Sequence, residues 1–396
     1  MRRLFAGLAA AALCLSLAAC AAAGVPAVPL TPEAYLAENC LQLDLAAATP
    51  DLAAAVDALP EDTVFYLAGE AHGLDKSYAM RRGMLKALHE RRGVNVLVCE
   101  YGMGAAYLLD RYLATGEEAL LQSFISAAQG SLACNGDELE FWHWARAYNE
   151  EQPPESRLHV VGVDVEHQMG LAVKALALVG DPEVPAPKEL EAVLAPDTAL
   201  NFTGAAAFVA ALEAAMQEKA EEYTAFFAQD WSLAQQLADN LTRTIAYLDP
   251  AGNGNDPLSL RDAAMMENFC FWQRQYPDEK FFGQFGGAHV SRAAAADYRE
   301  DTFAMQLEAQ GSPVAGRVYT LQYVYYGASI QSPALDDFDY TYLQPAGEDK
   351  VFFLDKAGSP FLDEQLLYDE TFCAVPDAAF THALVLLTGS KRSPRL

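Results

Sequence analysis

The amino-acid sequence predicts an α/β fold: a doubly wound, mostly parallel sheet flanked by helices, with an inserted helical hairpin. Short, continuous apolar runs rich in Val and Phe recur along the chain, which is typical of strands buried on both faces. Residues 77–91, between the first two runs, have apolar side chains at helical spacing and complete a β-α-β unit. Residues 187–248 carry no strand pattern. These observations favour one α/β domain with a helical insertion.

The sequence predicts seven strands and one long amphipathic helix. The strands are predicted at residues 64–68, 94–99, 158–163, 280–285, 317–326, 351–354 and 383–387. Within the insertion, an apolar residue recurs every four positions from Leu233 to Ile245. This spacing predicts an amphipathic helix, and we expect an antiparallel helical hairpin that covers one end of the sheet.

Composition and charge exclude several classes of function. The 396 residues contain 26 Lys plus Arg and 54 Asp plus Glu, which gives a net charge of -28. Nucleic acid is therefore repelled, and a strongly anionic substrate is disfavoured. The 52% of hydrophobic residues suffices for a large core and excludes global disorder. Seven Cys without a Cys-x-x-Cys pair indicate neither a disulfide scaffold nor a structural zinc site.

The N-terminal segment is typical of an export signal. Two arginines precede an apolar run over residues 4–19, which is short for a membrane-spanning helix. Residues 17–20 read Leu-Ala-Ala-Cys and resemble a bacterial lipobox, in which the Cys is lipidated and becomes the mature N-terminus. We predict a lipoprotein signal peptide over residues 1–19, lipidation of Cys20 and a tether over residues 20–32. The mature chain is then a membrane-anchored lipoprotein facing outside the cytoplasm; an ordinary secretory signal is the alternative, and it also exports the chain.

Ionisable residues follow four of the predicted strands. Residues 69–73, directly after the first strand, read Gly-Glu-Ala-His-Gly. The second strand ends in Glu100 and the third in Asp164, while the fourth leads to Gly-Gly-Ala-His at residues 286–289. The carboxyl ends of parallel strands border the ligand crevice of an open α/β sheet. We therefore expect these side chains to share one cleft.

These motifs resemble the erythromycin esterase-like family. The similarity rests on the Gly-Glu-Ala-His-Gly motif, Glu100 after the next strand, Arg261-Asp262 followed by Met-Met-Glu-Asn at residues 265–268, and the final Gly-x-His at residues 287–289. It runs from about residue 33 to 394 and implies an erythromycin esterase-like α/β domain over residues 33–396.

The resemblance implies metal-independent hydrolysis of an ester or lactone in a small molecule, without a cofactor. By position, His72 activates the attacking water, and Glu70 and Glu100 orient and tune it. The other implied residues are the catalytic Arg261 and His289 and the substrate-binding Arg81 and Asp164.

General chemistry agrees with this assignment. A His held between carboxylates has its imidazolium form favoured while it takes a proton from water. An Arg that keeps its charge is suited to stabilise the developing oxyanion. The sequence has no Gly-x-Ser-x-Gly nucleophile elbow, so a serine mechanism has no support.

The chain departs from the family pattern at three places. Phe285-Gly286 stands where relatives commonly have His-Asn, Lys76 stands where an acidic residue is usual, and Ala71 replaces a frequent Thr. These differences remove polar groups from the predicted pocket. The identity of the substrate, and macrolide cleavage in particular, therefore stays open.

Two other functions fit parts of the sequence. A metal-dependent peptidase uses two Gly-x-x-His motifs and a Glu, and His72, Glu100 and His289 would then hold a metal ion. A haem-binding lipoprotein would place tyrosines of the strand at residues 317–326 against its ligand, although such aromatic residues more often pack in a core. Metal content and visible absorbance distinguish these alternatives from a metal-free hydrolase.

Overall fold

The structure of the protein is a computed structural model. It describes residues 30–191, 202–249, 257–294, 301–329, 338–368 and 373–396. The predicted signal peptide, Cys20 and all but the last residues of the predicted tether lie outside these ranges, so the lipoprotein assignment stays a prediction. Within the described ranges, none of the helices combines the length and the apolar character needed to cross a membrane.

Helices and strands alternate through most of the chain. The helices are α1 (Pro32–Glu38), α2 (Ala53–Asp57), α3 (Asp75–Arg92), α4 (Met103–Thr115), α5 (Glu118–Ala127), α6 (Gly136–Glu150), α7 (Met169–Val179), α8 (Lys188–Glu191), α9 (Phe202–Glu218), α10 (Ala220–Phe227), α11 (Trp231–Leu248), α12 (Pro257–Gln275), α13 (Phe303–Glu308) and α14 (Asp377–Phe380). The strands are β1 (Cys40–Leu43), β2 (Phe65–Glu70), β3 (Val94–Gly102), β4 (His159–Asp164), β5 (Lys280–Gly286), β6 (Val318–Tyr326), β7 (Asp349–Phe353) and β8 (Ala383–Thr388).

The strands form one eight-stranded sheet in the order β1-β7-β8-β6-β2-β5-β3-β4. The strands from β8 to β4 pair in parallel, whereas β7 is antiparallel to both of its neighbours. The prediction of a mostly parallel sheet flanked by helices is confirmed. The pattern missed β1, because this strand has four residues and only its last one is buried.

Both faces of the sheet are covered by hydrophobic clusters. Alternate side chains of β8 show this: Val385 and Leu387 belong to the larger cluster, while Leu384 and Leu386 belong to a second one. All four are buried, which explains why β8 reads as a continuous apolar run in the sequence. The two-sided core is what a doubly wound α/β sheet requires.

The predicted insertion, residues 187–248, is mostly helical where it is described. It contains α8 to α11, so it is larger than the two-helix hairpin expected from the sequence. The long helices α9 and α11 pack against each other, and α11 also contacts α7 and α12. Leu237 and Leu241 are buried on α11, in agreement with the four-residue spacing of its apolar side chains.

The sheet order determines where the predicted motifs meet. Strands β2, β5, β3 and β4 are consecutive neighbours, and Glu70 at the end of β2 pairs with Gly286 at the end of β5. Asp164 at the end of β4 pairs with Gly102, just after Glu100 of β3. Four strand ends therefore deliver their ionisable residues to one edge of the sheet.

Candidate active site

A cleft of about 430 Å³ lies at the carboxyl ends of the central strands. Five of the seven residues predicted for the site line it: Glu70, His72, Arg81, Glu100 and Arg261. The other two, Asp164 and His289, contact Arg261 from behind the cleft wall. The opposite wall is more apolar and comes from α5 and the loop that follows it, with Phe124, Ala128 and Leu132.

His72 lines the cleft, and its two ring nitrogens lie near different carboxylates. Its Nδ1 lies 2.9 Å from Oε1 of Glu70. Because a carboxylate only accepts hydrogen bonds, Nδ1 carries the hydrogen and Nε2 is left to exchange a proton. Nε2 lies 3.6 Å from Oε2 of Glu100, and the side chain is 42% exposed. A water molecule in the cleft can therefore reach a His whose orientation is fixed.

The two carboxylates change the acidity of His72. Burial against the cleft wall opposes the charged form, but the negative charges of Glu100 and Glu70 outweigh it and raise the pKa of His72 to about 9. The imidazolium is therefore the resting form at neutral pH. The neutral form, which can act as a base, becomes populated as the pH rises.

Glu70 is itself held by side chains of β5 and β6. Nε2 of Gln284 donates to Oε2 of Glu70 and to the carbonyl oxygen of Ser77. The hydroxyl of Tyr323 donates to Oε1 of Gln284 at 3.1 Å. The sequence gives one signal for Gln284: it is the polar residue within the apolar run that follows Lys280 in β5.

Arg261, on α12, joins the other strand ends. Its Nε donates to Oδ1 of Asp164 at 2.8 Å, and its Nη2 donates to Oδ2 of Asp164 and Oε1 of Glu100, both at 2.5 Å. Its Nη1 lies 3.1 Å from Nε2 of His289. Burial opposes the guanidinium charge, but the charges of Asp164 and Glu100 prevail and raise the pKa of Arg261. The side chain is 16% exposed, so it also forms part of the cleft wall.

Glu100 is the carboxylate shared by the whole cluster. Its Oε2 accepts a hydrogen bond from the backbone N–H of Gly286 at 2.5 Å, and its Oε1 accepts from Arg261. Burial opposes its ionisation, but His72, His289 and Arg261 together hold the pKa of Glu100 well below its usual range. Glu100 therefore stays charged through the neutral pH range.

His289 has a buried position unlike that of His72. Its side chain is 3% exposed, and its Nδ1 donates to Oδ1 of Asp262. Its Nε2 lies 3.4 Å from Oε1 of Glu100. Burial opposes the imidazolium, while Glu100 and Asp262 favour it and raise the pKa of His289 to about 9. The two His thus have similar acidity, and only His72 opens to the cleft.

Arg81 and Asp164, the two residues predicted to bind substrate, each form an ion pair with another side chain of the protein. Nη1 of Arg81 donates to Oε2 of Glu138 at 3.1 Å, and the guanidinium lies 3.9 Å from the centre of the Phe141 ring. Asp164 is fully buried and bonded to Arg261. We therefore assign Asp164 to positioning Arg261, and we place Arg81 in the cleft wall together with its partner Glu138.

Two further polar residues at the cleft have weak signals in the sequence. Nε2 of His167 lies 3.1 Å from Oδ2 of Asp164, and His167 lines the cleft. Glu138 accepts hydrogen bonds from Tyr101 at 2.8 Å and from its own helix neighbour Trp142. His167 follows a strand end, whereas Glu138 lies in the first turn of α6, where an acidic residue is common for reasons unrelated to a site.

The departures from the family pattern have local explanations. Lys76 binds both carboxylate oxygens of Asp349 at 2.7 Å, and it does not line the cleft. Phe285 is buried and stacks on Phe303 with 5.5 Å between ring centres. A Cβ atom at Gly286 would lie 3.0 Å from Nε2 of His72. Any larger residue at this position would therefore crowd the His72 ring.

The residues considered for a metal site contact other side chains of the cluster. Among the described residues, no group of three or more His, Cys, Asp or Glu is placed to hold a metal ion. Glu100 and His289, two of the three ligands considered for a metallopeptidase, instead both face the guanidinium of Arg261. The guanidinium lies beside this pair, whose own Nε2 and Oε1 atoms are 3.4 Å apart.

Comparison with protein-family models gives a match to the erythromycin esterase family over residues 89–317. The matched segment covers more than half of the chain and contains Glu100, Asp164, Arg261 and His289. The chain belongs to the erythromycin esterase family. Membership supports an ester-cleaving hydrolase that acts on a small molecule. The motif with Glu70 and His72 precedes the matched segment, so its assignment rests on the geometry described above.

Solved structures share the fold over nearly the whole chain. A protein from Bacillus cereus has 17% identity and a TM-score of 0.66, with 92% of this chain and 98% of that chain covered. A His-to-Asn variant of the erythromycin esterase EreC in its open conformation has 15% identity and a TM-score of 0.65, with 89% and 98% covered. A succinoglycan biosynthesis protein has 12% identity and a TM-score of 0.67, with 93% and 99% covered. No curated protein sequence matches the chain.

Replacing Arg261 with Met should strongly destabilise the fold. The substitution leaves Asp164 and Glu100 buried without their cation, and breaking a buried ion pair typically costs about 3–5 kcal/mol. Urea unfolding at pH 7 measures the loss. The matched control is Arg91→Met, which breaks an exposed ion pair with Asp57 and should change stability little. Equal effects of the two substitutions would contradict a structural role for the Arg261 cluster.

Proposed function

We propose that this protein is an exported, lipid-anchored hydrolase that cleaves an ester or lactone by attack of a water molecule activated by His72. The observation that carries the proposal is the setting of His72: it lines the cleft with a side chain that is 42% exposed, Glu70 fixes its Nδ1, and its Nε2 lies 3.6 Å from Glu100. The family supports ester hydrolysis as the reaction type. The substrate is not identified by these features.

The first chemical step uses the neutral form of His72. Nε2 takes a proton from water while the water oxygen attacks the carbonyl carbon, and the imidazolium that forms is stabilised by Glu70 and Glu100. The oxygen of the carbonyl becomes negative in this step. Arg261 supplies a fixed positive charge in the cleft wall, where it can stabilise that oxygen. The imidazolium then returns its proton to the leaving alkoxide.

The other residues of the cluster keep these groups in position. Asp164 fixes the plane of the Arg261 guanidinium through two of its nitrogens. His289 and Asp262 support Arg261 and Glu100 from the buried side. We propose that no metal takes part, because Glu100 and His289 contact each other and both also contact the guanidinium of Arg261.

Replacing His72 with Ala should lower kcat/KM for ester substrates by at least about a hundredfold, because general-base catalysis contributes that much or more. A panel of chromogenic esters and lactones measures the loss, and thermal unfolding checks the fold. His143→Ala is the matched control, since His143 is exposed and pairs with Glu118 outside the cleft. Unchanged hydrolysis in the His72 variant would remove His72 from the mechanism. Activity lost on dialysis against EDTA and restored by zinc would contradict the metal-free assignment.

The value of kcat/KM should rise with pH, pass an inflection near pH 9 and level off above it. His72 acts as a base only when neutral, and its raised pKa of about 9 keeps it protonated below that pH. Glu70→Gln removes one of the charges that raise this pKa, so the inflection should move to lower pH while the plateau falls. The exposed Glu90, which pairs with Lys86, gives the control Glu90→Gln. An inflection that stays in place or moves upward in the Glu70 variant would contradict the role of Glu70.

Localisation rests on the N-terminal sequence. The lipobox-like residues 17–20 support lipidation of Cys20 and anchoring on the outer side of the cytoplasmic membrane. In a bacterial host, the full-length chain should fractionate with membranes and incorporate labelled palmitate. Cys20→Ser should abolish both, while Cys14→Ser, in the apolar run, should change neither. Labelling that persists in the Cys20 variant would contradict the assignment.

A further inference from the structure

Two buried tyrosines on β6 lie beside the Gly-Glu-Ala-His-Gly motif at the end of β2. Tyr323 and Tyr325 are two positions apart, so they point to the same face of the strand, and they are 3% and 4% exposed. Neither lines the cleft. Tyr323 holds Gln284, which in turn holds Glu70. Tyr325 has a separate partner in the motif, and the proposed mechanism does not yet use it.

That partner is the backbone of Ala71, the residue between Glu70 and His72. Strand β2 ends at Glu70, so the N–H and the carbonyl of Ala71 lie beyond its pairing with β5 and β6. The N–H donates to the hydroxyl oxygen of Tyr325 at 3.0 Å, and the carbonyl oxygen accepts from Oγ of Ser77 at 3.3 Å. Two side chains therefore supply the partners that the sheet no longer provides.

These groups close a ring of three hydrogen bonds. Oγ of Ser77 lies 2.8 Å from the hydroxyl oxygen of Tyr325. Because the N–H of Ala71 only donates and its carbonyl only accepts, the ring has one direction. The N–H donates to Tyr325, the Tyr325 hydroxyl donates to Ser77, and the Ser77 hydroxyl donates to the carbonyl. Hydrogen bonds that follow one another in this way strengthen each other.

The ring is shielded from solvent. Ser77, in the first turn of α3, is 0% exposed. Burial, together with the charge of Glu70, raises the pKa of Tyr325, so its hydroxyl keeps the proton that the ring needs. The carbonyl oxygen of Ser77 accepts from Gln284, so the ring also touches the residue that holds Glu70. Opening the ring would leave buried polar groups without partners, which is unfavourable.

We propose that Tyr325 and Ser77 are positioning residues for the proposed catalytic base. They fix the backbone of Ala71, and this backbone keeps the Glu70 carboxylate on Nδ1 of His72. The inference rests on the proposed function and adds two residues to it. Only Ala71 separates the base from its carboxylate, so a rotation of its backbone moves one relative to the other. A misplacement of about 1 Å can lower a reaction rate about a hundredfold.

Kinetics of two single variants test this role. Tyr325→Phe and Ser77→Ala each remove one hydroxyl and open the ring. In each, kcat for chromogenic esters should fall about tenfold while KM changes less than about twofold, because the substrate-binding surface is kept. Tyr35→Phe is the matched control: the Tyr35 hydroxyl is also buried, donates to the carbonyl oxygen of Phe353 at 2.9 Å and lies outside the cleft. It should leave kcat unchanged.

The double variant Ser77→Ala/Tyr325→Phe tests whether the two residues act as one ring. Each single substitution already opens the ring, so the double variant should lose little more activity than the worse single variant. Losses that multiply would contradict a shared ring. Thermal unfolding of all variants, with Tyr35→Phe as reference, separates lost stability from lost positioning.

The acidity of His72 is a readout that a merely structural role would not change. Glu100 and Glu70 raise the pKa of His72 to about 9, and Arg261 opposes them. When the ring is open, Glu70 leaves Nδ1 for part of the time, so this pKa should fall by about half a pH unit or more in both single variants. Glu100 and Arg261 are untouched by the substitutions.

NMR titration measures this pKa directly. The chain has seven His, and His72→Ala identifies the signals of His72. The inflection of kcat/KM should move to lower pH by the same amount. If both single variants lose stability but keep the wild-type pKa of His72 and the wild-type kcat, the proposal is overturned.

Hydrogen exchange of the unmodified chain needs no variant. The Ala71 amide should exchange at least about a hundredfold more slowly than the Ala46 amide, which donates to the exposed carboxylate of Asp44 at 3.0 Å. Equal exchange rates would contradict a closed ring. If no ester is cleaved by the wild-type protein, the proposed function fails, whereas hydrogen exchange and the NMR titration still decide whether the ring positions Glu70 and His72.

Discussion

The guanidinium of Arg261 holds together side chains from three different strand ends. It binds Asp164 after β4, Glu100 on β3 and, through Nη1, His289 after β5. Two of these partners are carboxylates with almost no exposure, and such groups are stable in a protein interior only when their charge is compensated. The positive charge of Arg261 therefore allows Glu100 to remain ionised beside the cleft. Every other property of the cluster depends on this charge.

The acidity of His72 is the main consequence. Glu100 raises the pKa of His72 because it remains a carboxylate, and it remains one partly because of Arg261. Arg261 also acts directly on His72 in the opposite direction, since two cations repel. The guanidinium therefore has two opposite effects on the pKa of His72. It raises this pKa indirectly, by keeping Glu100 ionised, and it lowers it directly through its own positive charge. The pKa of His289 is raised by a similar amount, but His289 has no access to the cleft, so solvent exposure, and not pKa, favours His72 as the proposed base.

Much of this arrangement is encoded locally in the sequence. Apolar runs predict seven of the eight strands, because a strand buried on both faces must be apolar at every position. Glu70, His72, Glu100 and Asp164 follow from the rule that strand ends meet at one edge. The short strand β1 lacks such a run, and the pairing of Arg81 with Glu138 depends on how α3 packs against α6. Such contacts join residues that are distant in the chain, and the sequence around each residue does not predict its partner.

The helical insertion extends the same reasoning beyond the cleft. Asn240 on α11 donates to the carbonyl oxygen of Asp164 and to Oε1 of Glu166, while Thr244 accepts from the backbone N–H of Glu166. Asn268 on α12 donates to the carbonyl oxygen of Val163. These bonds fix the backbone of the β4 end, where buried polar groups would otherwise lack partners. Because Asp164 sets the plane of the Arg261 guanidinium, the insertion helix α11 contributes to the geometry of the cleft although it does not line it.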